Sequence, residues 1–159
     1  MCIVTGSAGA QERADPEAGN WLVGGSLGVP GCGVLPLPGL FTVAFHGTAA
    51  VPGQVGPDFF VGTMPRALFE GVVLFGARAG LALPVALSSK LLVLPSAGLS
   101  LLGGFDNGTA GGQPGFNAGI AAVVSGSMPT GFRTGVTWHR FRGLYETVWL
   151  LEVGFVHRR

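Results

Sequence analysis

Residues 145–157 constrain this chain most: Tyr-Glu-Thr-Val-Trp-Leu-Leu-Glu-Val-Gly-Phe-Val-His. A strand sends alternate side chains to opposite faces. One face then receives Thr147, Trp149, Leu151, Val153 and Phe155, and the other receives Glu146, Val148, Leu150, Glu152 and Gly154. An aromatic and aliphatic face opposite one that holds carboxylates and glycine suits a strand with oil outside and a small polar lumen inside.

Whether the oily face could instead be the core of a soluble domain depends on how much charge is left to coat a surface. Charged residues are only 11% of the 159, and hydrophobic residues are 48%. Ordinary soluble domains carry about 25% charge. Mean hydropathy is +0.53. The apolar content is therefore not masked by a charged exterior. The length suits one domain with a single core. With a net charge of +1 and no basic cluster beyond Arg158 and Arg159, nucleic-acid binding has no electrostatic footprint, and no nucleic acid is expected as a partner.

The same two-faced pattern recurs upstream. From Asn20 onward, apolar runs alternate with Gly/Pro/Asn/Ser punctuation, the rhythm of an all-β fold. Strands are expected at 20–29, 40–51, 56–64, 68–83, 90–102, 114–125, 131–141 and 145–157. Within 73–83, Val73, Phe75, Ala77, Ala79, Leu81 and Leu83 oppose Gly76, Arg78, Gly80 and Ala82. In 91–101, Leu91, Val93, Ala97, Leu99 and Leu101 oppose Ser96, Gly98 and Ser100. In 115–125, Phe116, Ala118, Ile120, Ala122 and Val124 oppose Asn117, Gly119, Ala121 and Ser125. In 131–141, Phe132, Val136 and Trp138 oppose Arg133, Gly135, Thr137 and His139. Small residues on one face suit a narrow eight-stranded barrel whose interior is filled by side chains. The fold class is all-β: a closed antiparallel up-and-down barrel of about eight strands, transmembrane in type. Alternation is weaker over 30–60.

Competing readings are each weaker on physical grounds. A membrane helix over 34–51 would be long enough, but would carry Pro36, Pro38, Gly39 and His46. Cys2 and Cys32 lack metal-site spacing, leaving a disulfide between them open. Gly24-Gly25-Ser26-Leu27-Gly28 matches a nucleophile-elbow pattern, but that chemistry needs a helix after the turn, and Val29-Pro30-Gly31 does not start one. His46, His139 and His157 have no carboxylate or cysteine at catalytic or metal spacing, and fit lumen or interface positions. Asp106-Asn107-Gly108 reads as a turn.

The ending Leu151-Glu152-Val153-Gly154-Phe155 is similar to the closing strand of small bacterial outer-membrane β-barrels of the eight-stranded OmpA/OmpX-like class. Gly131-Phe132-Arg133-Thr134-Gly135-Val136-Thr137-Trp138-His139 resembles the strand before it, and Ala8-Gly9-Ala10 before Gln11 matches a signal cleavage site. The resemblance covers residues 20–157. It implies export to the bacterial outer membrane, with the lipid bilayer and the outer-membrane assembly machinery as partners. Both termini would face the periplasm, with short turns at 84–89 and 126–130. The connections at 30–39 and 103–113 would be extracellular, 103–113 among the longest. Those near 65–67 and 142–144 are shorter than the class favours. Such barrels usually end on an aromatic residue, whereas Val156, His157, Arg158 and Arg159 follow Phe155 here, which puts insertion by the usual route in question.

The chain is thus expected to hold the remnant of a cleaved signal peptide (1–10, cut between Ala10 and Gln11), a polar lead-in (11–19) and one barrel domain (20–159). Residues before Ala8 make an incomplete signal, which suggests a start further upstream. Arg78, Arg133, Glu152 and Glu146 are expected to form a salt-bridge network in the lumen, since an isolated buried charge costs several kcal/mol. Trp21, Trp138, Trp149 and Phe155 would form an aromatic girdle, and Arg140 would snorkel at the interface. No catalytic residue, metal or cofactor is expected. The role is structural or one of surface interaction; the alternative is an exported soluble barrel or sandwich that binds a small apolar ligand. The two differ in which strand face is dry.

Overall fold

The computed structural model of the chain describes residues 21–33, 35–36, 41–65, 72–106, 109–126, 129–142 and 147–159. Among them, eight long strands form one antiparallel meander: β1 Trp21–Cys32, β3 Thr42–Ala49, β4 Gly56–Thr63, β5 Val72–Ala82, β7 Leu91–Asp106, β8 Thr109–Ser125, β9 Thr130–Phe141 and β10 Val148–Arg158. Two-residue strands, β2 (Leu35–Pro36) and β6 (Val85–Ala86), extend the pairing of β1 and β7. Each long strand pairs with its neighbours in sequence, and β10 pairs back onto β1 from Leu22↔Arg158 to Cys32↔Val148. The sheet is therefore closed, and no long strand is left as an edge. The eight strands expected from the sequence are all present. No described helix is long and apolar enough to cross a membrane, and 42–49 is strand rather than helix.

Closure sorts the chain into two ends. One end holds Trp21, Arg158, the connections 50–55 and 83–90, and the ends of β8 and β9 at Ser125 and Thr130. The other holds the strand ends Cys32, Thr42, Thr63, Val72, Asp106, Thr109, Phe141 and Val148. Gly53, with φ of 77°, makes the 50–55 turn in a conformation that glycine adopts without steric cost.

The connection expected as a long loop at 103–113 is instead ladder. Gly103↔Gly112, Gly104↔Gly111 and Phe105↔Ala110 are register partners, and only 107–108 lie between β7 and β8. Glycine clusters signal loops, but backbone pairing needs no side chain, and β5 continues alongside to Val72↔Asp106. The connections 64–71 and 142–147 are correspondingly longer than the sequence suggested. The tail after Phe155 is also part of the wall. Val156, His157 and Arg158 pair with Gly24, Val23 and Leu22, and Trp21 and Arg159 exchange both backbone hydrogen bonds.

Candidate functional site

Strand parity places the large apolar side chains outside. Leu27, Val29, Val43, Phe45, Val61, Leu81, Leu99, Phe116, Ile120, Val124, Leu151, Val153 and Phe155 are exposed around the whole circumference. Arg78, Arg133 and Glu152 point inward and are buried. A soluble barrel needs the reverse arrangement, because a water-facing wall needs polar residues.

The outward aromatics lie in two tiers. Trp21 lies beside Phe59 (ring centroids 6.2 Å apart), and Phe132 meets Phe155 edge-on at 5.9 Å, both toward the end that holds the termini. Trp138 and Trp149 are register partners toward the other end, where Trp149 Nε1 donates to the Gly33 carbonyl at 3.0 Å. Three of the outward rings lie over a glycine directly across the ladder: Trp149 over Gly31, Phe59 over Gly47, and Phe75 over Gly103. Each ring occupies the space where a Cβ of that glycine would sit, so the aromatic covers the bare backbone. Arg140 is exposed on the outward parity, as its position in the strand implies.

The interior is built in layers. At the terminal end, Leu22, Ala50, Leu94, Ala121, Val123 and Val156 form an apolar plug. Above it lies a polar layer. Glu152, 1% exposed, accepts a hydrogen bond from Ser26 Oγ at 3.1 Å, and its Oε2 lies 3.9 Å from Arg78 Nη1. Arg78 spans the lumen, with Nε 3.5 Å from Asp58 Oδ2 and Nη1 donating to Thr137 Oγ1 at 2.5 Å. Thr48 donates to the other Asp58 oxygen at 2.6 Å. The Arg78 guanidinium also sits 5.2 Å from the Phe60 ring centroid. Two guanidiniums and two carboxylates make the layer neutral, which a narrow low-dielectric lumen requires.

The expected members of this layer are placed as follows. Arg78 and Glu152 meet across the lumen. Arg133 is buried, makes no ion pair among the described residues, and has an Nε without a hydrogen-bond partner. On the ladder it faces Gly154 rather than Glu152. Glu146, Ala10 and Gln11 lie outside the described residues. Sequence reasoning missed Asp58, Thr48 and Ser26 as members. Their inward parity could have marked them, but alternation across 30–60 is weak enough to leave the register undecided.

Ser26, His46 and Glu152 come together as a serine, a histidine and a carboxylate. Ser26 Oγ is 2.5 Å from His46 Nε2, and Glu152 Oε1 is 3.3 Å from that same nitrogen. A triad needs the carboxylate on the opposite ring nitrogen, so that Nε2 is free to take the serine proton. Here the serine proton goes to Glu152, Nε2 is crowded by both oxygens, and His46 Nδ1 has no partner. Ser26 also lies mid-strand with no helix after it. The arrangement cannot act as a nucleophile with its base. Among the described residues, no group of three His, Cys, Asp or Glu side chains could hold a metal ion.

Above the ions, Ser100 Oγ lies 2.9 Å from His139 Nδ1 and accepts from Asn117 Nδ2 at 2.9 Å. Ala44, Phe60 and Leu150 form a second apolar cluster. Beyond it, toward the end away from the termini, the lumen opens into a cavity of about 240 Å³.

No protein-family model matches the chain, and no curated protein sequence is similar to it. Solved structures are similar in fold. Neisserial surface protein A matches with a TM-score of 0.64 at 10% identity, over 89% of this chain and 99% of that one. A de novo designed transmembrane β-barrel matches at 0.59 and 15% identity, over 92% and 100%. The N-terminal β-barrel domain of Pseudomonas aeruginosa OprF matches at 0.56 and 14% identity, over 88% and 99%. The chain thus has the fold of the small eight-stranded outer-membrane barrels.

Proposed function

We propose that the chain is a bacterial outer-membrane β-barrel protein with a structural or surface-interaction role and no catalytic one. The observation that carries this is the apolar exterior of a closed barrel that buries Asp58, Arg78, Arg133 and Glu152 inside. A closed ladder leaves no unpaired backbone group in lipid, and an apolar wall needs lipid around it. In this reading the aromatic tiers around Trp21 and Phe155, and around Trp138 and Trp149, anchor the barrel at the two interfaces. The Arg78, Glu152 and Asp58 layer fills the lumen and fixes its register, with Arg133 and Glu146 as further members. The terminal end faces the periplasm, and surface contacts are made by the β7–β8 hairpin and the connections beside it. Delivery is by the outer-membrane assembly machinery after cleavage between Ala10 and Gln11.

The test is membrane fractionation combined with gel migration of boiled and unboiled samples. The protein is expected in the outer-membrane fraction, with the unboiled form migrating differently from the boiled one. A chain that stays soluble without detergent and migrates identically in both states would overturn the proposal.

A further inference from the structure

The cavity at the open end of the lumen is enclosed by the barrel wall and floored by Phe60, behind which the Arg78 guanidinium sits. Its lining is apolar (Pro30, Met64, Leu74, Leu102, Phe141 and Leu150 among others), and it is interrupted by very few polar groups. One of these matters. Thr42 lines the cavity, but its hydroxyl oxygen is sealed from it and lies over Gly28 of β1. His139 lines the cavity and is held through Nδ1 by Ser100, which leaves Nε2 as the nitrogen that Ser100 does not engage and that a ligand hydroxyl can meet. Apolar walls with a few fixed polar groups are the composition of small-molecule sites.

We propose that this cavity is a binding site for a small, largely apolar molecule carrying one hydrogen-bonding group, such as a substituted phenol. The size sets the class. An apolar cavity of about 150 Å³ holds benzene, and a water-sized group fills about 30 Å³. At about 240 Å³ the cavity takes roughly eight heavy atoms on that scale. The ligand enters from the end away from the termini, because the ion layer and the plug of Leu22, Leu94 and Val156 seal the other. The site concerns the lumen, so it stands whichever solvent surrounds the wall.

Gly76 provides the blocking variant. A Cβ there would have Phe60 Cε1 at 3.8 Å as its nearest neighbour, so a longer side chain extends into the cavity instead of into the wall. The full chain in lipid nanodiscs is titrated with para-fluorophenol and with para-fluorotoluene, followed by fluorine NMR against empty discs. Saturable broadening is expected only with the protein. The phenol should bind about two- to tenfold more tightly than the toluene, the range of one net hydrogen bond. Gly76→Leu should abolish saturation while the unboiled gel form persists. His139→Phe, close in ring size, should retain binding of both probes and erase the preference for the phenol. Broadening no greater than in empty discs, or saturation that survives Gly76→Leu, overturns the site. A phenol preference that survives His139→Phe overturns the role given to the imidazole.

Discussion

Glu152 touches three interior residues on three other strands: Ser26 on β1, His46 on β3 and Arg78 on β5. Removing one partner of a buried ion pair leaves the other uncompensated, which costs about 3–5 kcal/mol, whereas replacing both by apolar groups is often near neutral. Glu152→Ala is therefore expected to destabilise the barrel by about that amount. The triple variant Arg78→Met with Glu152→Leu and Asp58→Asn, which leaves neither carboxylate partner of Arg78 behind, should recover much of the loss. Urea unfolding in lipid vesicles, followed by tryptophan fluorescence, measures both, and equal losses for the single and triple variants would refute the coupling. At this scale the sequence showed which way Arg78, Arg133 and Glu152 point, because parity is a property of each strand alone. It did not show which of them meet. Arg133 sits one pleat nearer the terminal end than Glu152, and Asp58, unremarked in a poorly alternating segment, faces Arg78 instead.

At the scale of elements, β10 closes the barrel, and it does so through the residues that set it apart from the closing strand it resembles. Val156 is 2% exposed and packs with Leu22, Ala50, Leu94, Ala121 and Val123, while His157 is exposed. Val156→Asp would bury an unpaired carboxylate in that plug, at a cost of several kcal/mol. It is expected to abolish the compact unboiled gel form, whereas His157→Ala should leave it intact. A normal unboiled form in Val156→Asp would mean that the tail is dispensable for closure. All eight strands were legible, most clearly where the alternation is regular from Val73 onward, and over 30–60 more from the turn punctuation than from alternation. The ends of β7 and β8 were not. Gly103, Gly104, Gly111 and Gly112 have the local preferences of a loop, and only their pairing with one another, and with β5, makes them wall. Glycine also permits the close approach of β5 and β7, where a Cβ on Gly80 or Gly98 would run into the backbone of the facing strand.

Across the whole molecule, the lumen is stacked from the terminal end as an apolar plug, an ion layer and an apolar cavity. Eight strands enclose a space that side chains can fill, and two of the three layers are filled. Purified protein in planar lipid bilayers is therefore expected to give no stable ion conductance, and discrete open-channel steps would contradict the sealed lumen. Sequence alone determined the architecture: period-two alternation with little charge leaves an oily face and a polar face on each strand, and only a closed wall in lipid satisfies both. Tertiary structure alone decided the contacts inside. Each strand's faces follow from its own backbone, but the level at which one strand meets another across the lumen depends on the stagger of all eight. That stagger set Arg78 beside Asp58 and Glu152, left Arg133 Nε without a hydrogen-bond partner, and opened the cavity lined by Thr42 and His139.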